Sequence, residues 1–383
     1  MIAELARNGS KIFLARPRRF GKSLLVSTFS SLFEFGLRDF AGLKIEKVWK
    51  DRLYDVVRLD FSEILEFHSS ERFDEIFYRW LTDRFERIGF EPVPGRDILS
   101  QLSLWLETRT KEANPFVLLI DEYDAPLTAC LDDSASFERV RAVLSAFYLT
   151  VKANEGCLRF FFMTGITKLS NTGIFSAFNN LTDISLTTDY SMILGYTAEE
   201  ILLSFRSHLD RAAGILGMRS AEILQALAEH YDGYCFDPDG KNHVFTPWSV
   251  LSFLNSPRSG FINYWYRTGG RPSVLMKYLR GHRLADPSHY LEPKAVSLAE
   301  LSASGQYDEI SAETLLTQTG YLTIKGPLGA GYVALGYPNL EVSASMAQLY
   351  ADELLRNATP LQSGVPFLAK ILTEESAAAV SGI

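Results

Sequence analysis

The chain has 383 residues, 47% of them hydrophobic and 22% charged, with a formal net charge of −8 at pH 7. That length implies two or three domains with packed cores, and the acidity argues against a nucleic-acid binder over the whole surface while leaving a local basic patch open. Cys130, Cys157 and Cys235 fit neither a disulfide framework nor a metal knuckle, and no apolar run reaches membrane-spanning length, so a reducing cytosol is the expected compartment.

The segment "KIFLA" (11–15) reads as a short buried strand. After it, Leu24, Leu25, Phe29, Leu32 and Phe33 recur at helical spacing, and Gly36 can end that helix. A second strand is expected over 55–62. Residues 70–112 look helical, broken by a loop over 89–97, and "PFVLLIDEYD" (115–124) is an apolar strand ending in acids. A helix over 135–153 precedes the apolar strand "LRFFFMTG" (158–165), and "DISL" (183–186) reads as a fifth strand. Strands that are apolar throughout and separated by helices predict a parallel sheet covered on both faces. From about 194 the pattern turns helical, starting at Thr197 as N-cap with Glu200 three residues on, and continues to about 283. Near the end, "YLTIK-GPLGAG-YVALGY" reads as a hairpin, and "EESAAAVSGI" as a frayed terminus.

Four stretches are candidates for chemistry. The first is "LARPRRFGKSLLVSTF" (14–29), where Gly21-Lys22-Ser23 matches the second half of the phosphate-loop pattern G-x-x-x-x-G-K-[ST], with Arg16 where the first glycine stands. Backbone N–H groups at a helix start attract phosphate, Lys22 would reach the β/γ phosphates, and the Ser23 hydroxyl would ligate Mg²⁺. A solvated basic turn is the competing reading of the tripeptide alone; the strand before and the amphipathic helix after favour the cradle. Arg18 and Arg19 could contact phosphate, stand in for an arginine supplied by a partner, or be solvated. The second stretch is "FVLLIDEYD": Asp121 suits the Mg²⁺ shell and Glu122 the orientation of an attacking water, although acids also suit a helix start. The third is the tip of "FFFMTG", where Thr164, with Lys168 nearby, could sense the γ-phosphate; a plain strand-ending turn is the alternative. Further on, "YRTGGRPSVLMKYL" (266–279) puts Arg271 and a Gly-Gly turn at a helix start, which could meet the nucleotide or simply be a proline-capped loop.

Together with "VLLIDEYDAPL", "GYTAEEI", "HYDGYCF", "NYWYRTGGRPSVL", "LLTQTGYLTI" and "LGYPNLEV", these stretches resemble the prokaryotic AAA-ATPase-like family, in which a P-loop ATPase module is commonly followed by a PD-(D/E)XK nuclease-like domain. RPRRFGKS is the usual form of the loop in that family, so Arg16 looks like a family variant. The resemblance implies an α/β parallel-sheet P-loop NTPase of the additional-strand (ASCE) type, related to STAND and archaeal ATPases, with strand order 5-1-4-3-2. It implies an ATPase core (1–194), a helical lid (195–290), a winged-helix-like module (291–345) and a tail (346–383) leading toward a further domain. Lys22, Ser23, Asp121 and Glu122 then take the nucleotide and Mg²⁺ roles, Arg18, Arg19, Phe20, Gly21 and Leu24 complete the nucleotide loop, and Thr164 and Arg271 are sensor-like positions.

The expected function is an ATP-binding, Mg²⁺-dependent switch with slow hydrolysis; the rival is a nucleotide-binding regulatory scaffold without turnover. A lid requires the 269–272 turn to face the Gly21–Ser23 loop. DNA binding through the winged-helix-like module has little support, because clustered Lys and Arg are few there. No Asp followed by E-x-K occurs in the tail, so no nuclease activity is expected of these residues, and the resemblance implies more chain at both ends, including an absent effector domain.

Overall fold

The computed structural model describes residues 1–7, 11–67, 72–168, 180–269, 271–303 and 310–354. They form two units. The first takes in Met1–Ala15 and Lys22–Ile184; the second takes in Arg16–Gly21, Ser185–Ala303 and the described residues from Ile310 onward.

The first unit is a five-stranded sheet made of β1 (Lys11–Ala15), β2 (Val56–Asp60), β3 (Phe116–Asp121), β4 (Leu158–Gly165) and β5 (Thr182–Asp183). Their order is β2-β3-β4-β1-β5, with every pair parallel. This is the expected 5-1-4-3-2 order seen from the other edge. Every residue of β3 is buried, whereas β2 alternates buried and half-buried residues. That contrast follows from position: β3 has a neighbour on each side, and β2 lies at the edge. The fifth strand is shorter than its sequence suggests, two paired residues, and Ser185 already belongs to the second unit.

Helix α1 (Lys22–Phe35) follows the phosphate-loop sequence and buries Leu25, Val26, Phe29, Leu32 and Phe33. Leu24 was expected on that face but is 71% exposed, and Val26 takes its place. At about 100° per residue, Leu24 falls outside the arc centred on Leu25, Phe29 and Phe33. Gly36 ends the helix at φ 66°, a left-handed conformation that glycine adopts at little cost. Helices α2 (Phe73–Glu86), α3 (Ile98–Lys111) and α4 (Ser134–Ala153) contribute Phe77, Leu81, Leu102, Leu106, Val140 and Phe147 to the core that includes Leu118 and Ile120 of β3.

The second unit is mainly helical. Its first helix, α5 (Ala198–Ser204), begins with the expected capping box: Glu200 N–H donates to Thr197 Oγ1 at 3.2 Å, and Thr197 N–H to Glu200 Oε2 at 2.9 Å. Replacing Thr197 by Ala should cost about 1 kcal/mol, because one N–H at the helix start loses its acceptor. Urea unfolding monitored by circular dichroism checks this, and an unchanged midpoint would contradict it. Helices α6 (Arg206–Leu216), α7 (Ser220–Tyr231) and α8 (Pro247–Asn255) share a core of Leu209, Ile223, Leu227, Val250 and Phe253.

The same unit contains α9 (Trp265–Thr268), α10 (Ser273–Gly281) and, further on, a helix over Ala312–Thr319. The expected hairpin is β9 (Thr323–Gly329) with β10 (Tyr332–Gly336), turning through Ala330 and Gly331, both at positive φ. A strand not foreseen, β8 (Lys294–Ser297), pairs with β10 to complete a three-stranded antiparallel sheet. Only pairing makes those four residues a strand, since a single one of them is buried. A two-residue hairpin, β6 (Tyr234–Cys235) with β7 (His243–Val244), was likewise not foreseen. The final described helix, α11, is Leu340–Leu354.

Candidate functional site

The carboxyl ends of β3 and β4 carry the predicted acids and threonine of the first unit. Asp121 is the last residue of β3 and is fully buried. Its Oδ1 accepts the Glu122 N–H at 3.1 Å, while its Oδ2 is buried with no hydrogen-bond partner. Burial raises the Asp121 carboxyl above its ordinary value; a bond from the Ser23 side chain pulls it down, the charge of Asp60 adds to the rise, and Lys22 and Arg58 oppose it. Lys22 and Ser23 are the first residues of α1, so the helix start and the strand tip act on one carboxylate. Lys22 is buried and Ser23 exposed.

Glu122 has φ 49°, a left-handed conformation that costs a residue with a side chain about 1–2 kcal/mol. The following residues keep the turn in place. Tyr123 OH donates to Thr167 O at 2.7 Å, and Asp124 accepts from Thr167 N–H at 2.9 Å and Thr167 Oγ1 at 2.7 Å. Gly165 makes this possible: a Cβ there would lie 2.5 Å from Tyr123 and 2.7 Å from Asp124. Thr164, one residue earlier on β4, is fully buried with its Oγ1 lacking a hydrogen-bond partner. Lys168 pairs with Asp183 of β5 at 2.6 Å.

Sequence reasoning missed two charged residues here. Asp60, the last residue of β2, stands in register with Asp121, and Arg58 Nη2 lies 4.0 Å from Asp121 Oδ2. A strand ending in an acid, "VVRLD", was the available signal. Asp124, the anchor of the turn, was also overlooked although it lies within the quoted "IDEYD".

In the second unit, the segment Arg16–Gly21 is tied down residue by residue. The buried Arg16 guanidinium donates to Ser185 O at 2.5 Å and Tyr190 O at 3.3 Å, and stacks over Phe236 at 3.9 Å. The arginine at the place of the first glycine is therefore a packed anchor. Phe20 is buried edge-on against Tyr234 and Phe236, so its ring serves the core. Arg19 has φ 72°, and its side chain lies over Trp248 at 4.5 Å and donates from Nε to Thr268 O at 3.3 Å. Gly21, at φ 94°, needs glycine for its backbone conformation, the space around it being adequate. Gly269 lies against the same segment: a Cβ there would be 3.3 Å from both Arg18 Cβ and Arg19 Cγ. Gly270 is outside the described residues. Arg271, half exposed, pairs with Asp352 at 3.2 Å.

Residues 1–175 match the family described as predicted AAA-ATPase, AAA-ATPase_like. This part of the chain is therefore similar to that family. The parallel α/β sheet is in keeping with that similarity. The chain is also 30% identical over 347 residues to an uncharacterized protein from the vnfD 5′ region of Azotobacter chroococcum mcd 1. That similarity covers 90% of this chain, and so extends beyond the AAA-ATPase-like part, but only 63% of the relative's length. No helix among the described residues is long and apolar enough to cross a membrane.

Proposed function

We propose that the chain is an ATP-binding, Mg²⁺-dependent P-loop ATPase module that works as a nucleotide-controlled switch with slow hydrolysis. The observation that carries the reading is Asp121: a buried carboxylate at a central strand tip, with one oxygen that accepts no hydrogen bond and with Ser23 and Lys22 acting on it. A carboxylate and a hydroxyl are hard oxygen donors of the kind Mg²⁺ takes, and the remaining positions fall to phosphate and water. When bound, Mg²⁺ would offset the charge that develops on the β and γ phosphates. Lys22 would add a positive charge beside them, and the N–H groups at the start of α1 would cradle the phosphate oxygens. Glu122 would orient the attacking water and accept its proton, and Thr164 would offer its hydroxyl to the γ-phosphate or that water.

The second unit supports the finer parts of this reading. The helices over 195–290 are suited to a lid, and a strand, a helical segment and a hairpin that closes a three-stranded antiparallel sheet with that strand resemble a winged-helix module. A lid lets nucleotide shift the population toward the state it binds better.

Calorimetric titration with ATP, GTP and ADP, with and without Mg²⁺, tests the proposal. Saturable, Mg²⁺-dependent ATP binding is expected, and its absence would reject the reading. ATP binding without phosphate release above background would favour the scaffold instead. Asp121→Asn should weaken binding with Mg²⁺ and leave Mg²⁺-free binding nearly unchanged, because it removes charge from a metal ligand; equal loss in both conditions would contradict the assignment.

A further inference from the structure

Glu341 lies far from the phosphate-loop sequence along the chain and has no part in the chemistry proposed above. It sits in the first turn of α11 and is 3% exposed. Its carboxylate collects three donors: Ser249 Oγ at 2.7 Å on Oε2, and Tyr264 N–H at 2.8 Å and Trp265 N–H at 2.9 Å on Oε1. Asn263 adds a bond from Nδ2 to Glu341 O at 3.3 Å and another to Ser345 Oγ at 2.7 Å. Burial pushes the Glu341 carboxyl up to about 7, against the pull of these donors. A group so costly to bury is kept where its bonds hold something in place.

Those bonds lead to one residue. Ser249 is on α8, whose neighbouring residue Trp248 stacks on the Arg19 guanidinium. Tyr264 and Trp265 start α9, whose last residue, Thr268, accepts from Arg19 Nε, and Gly269 just beyond packs on Arg18 and Arg19. Both side-chain contacts on Arg19 are therefore carried by helices joined through one carboxylate. Arg19 is also the loop residue other than glycine that has a left-handed backbone, a conformation that persists in such a residue only where the surroundings over-determine it. We propose that Glu341 is a positioning residue for the nucleotide loop: it clamps α8 and α9 together so that Trp248 and Thr268 hold Arg19, and through it the Arg18–Gly21 backbone, in the phosphate-binding conformation. This rests on the reading of that loop as a nucleotide site.

The test compares wild type, Glu341→Gln, Arg19→Ala and the double variant at pH 8, where the carboxylate is ionised. ATP affinity with Mg²⁺ is measured by calorimetry, and tryptic cleavage after Arg18 or Arg19 is followed by mass spectrometry without nucleotide. Glu341→Gln is expected to weaken ATP binding about tenfold and to cost nothing further in the Arg19→Ala background, since coupled residues do not add. Cleavage at Arg18 and Arg19 should rise severalfold while other sites of the second unit are cut at the wild-type rate. Additive losses in affinity, or a rise in cleavage at all sites, would overturn the proposal and leave Glu341 as a general packing residue. If wild type fails to bind ATP, the nucleotide reading fails, and the cleavage pattern alone decides whether Glu341 holds the loop. Should Glu341→Gln not fold, Ser249→Ala removes one of the three bonds and should give the same pattern in smaller measure.

Discussion

Replacing Lys22 by Ala is expected to abolish the stabilisation of the protein by ATP while leaving the unliganded fold intact. A ligand that binds only the native state raises stability by RT ln(1 + [L]/Kd), about 2.7 kcal/mol at a hundredfold excess over Kd. Lys22 would supply the point charge on the β/γ phosphates, so its loss should bring the ATP-induced shift close to zero. The unliganded variant should not suffer by comparison. Lys22 is the first residue of α1, where a cation opposes the helix dipole and Ala is the better helix former. Its removal also takes a positive charge away from Asp121, whose carboxyl then rises further. Differential scanning fluorimetry with and without Mg²⁺-ATP measures both quantities. A variant that melts like wild type and still gains the full shift would remove Lys22 from the phosphate site.

Glu122→Gln should keep ATP binding within a few-fold of wild type and slow hydrolysis by about 10²–10⁴-fold, the usual contribution of a general base. Gln has the shape of Glu and the same backbone demand, so the left-handed turn at φ 49° is neither relieved nor worsened. The Asp121 carboxylate and the Ser23 hydroxyl are untouched, so Mg²⁺-dependent affinity should persist. Single-turnover phosphate release, set beside a binding titration, separates the two effects. Equal losses in binding and hydrolysis would mean that Glu122 contacts the nucleotide or the metal rather than the water.

The division between sequence and tertiary structure falls along the range of the interactions. Strand and helix positions were legible where they depend on a local pattern: "FVLLID" is apolar throughout because β3 is central, and Thr197 with Glu200 forms its capping box within one turn. Lys22, Ser23, Asp121 and Glu122 could be proposed from the sequence because phosphate and Mg²⁺ would require those groups at a helix start and a strand tip, which is where the fold has them. What depended on long-range contacts stayed hidden. Arg16 looked like a substitution in a glycine motif, and only its bonds to Ser185 and Tyr190 reveal an anchor in the second unit. Phe20 read as part of a ligand loop, yet its ring packs on Tyr234 and Phe236. Asp60 and Arg58 acquire meaning only from the parallel register that sets β2 beside β3. Glu341 read as one residue in a family stretch; it became a clamp when the fold brought Ser249, Tyr264 and Trp265 to it. The sequence by itself determined which groups could do the chemistry, because chemistry is written in residue types, and the tertiary structure decided what holds them, because buried bonds join residues that the chain order keeps apart.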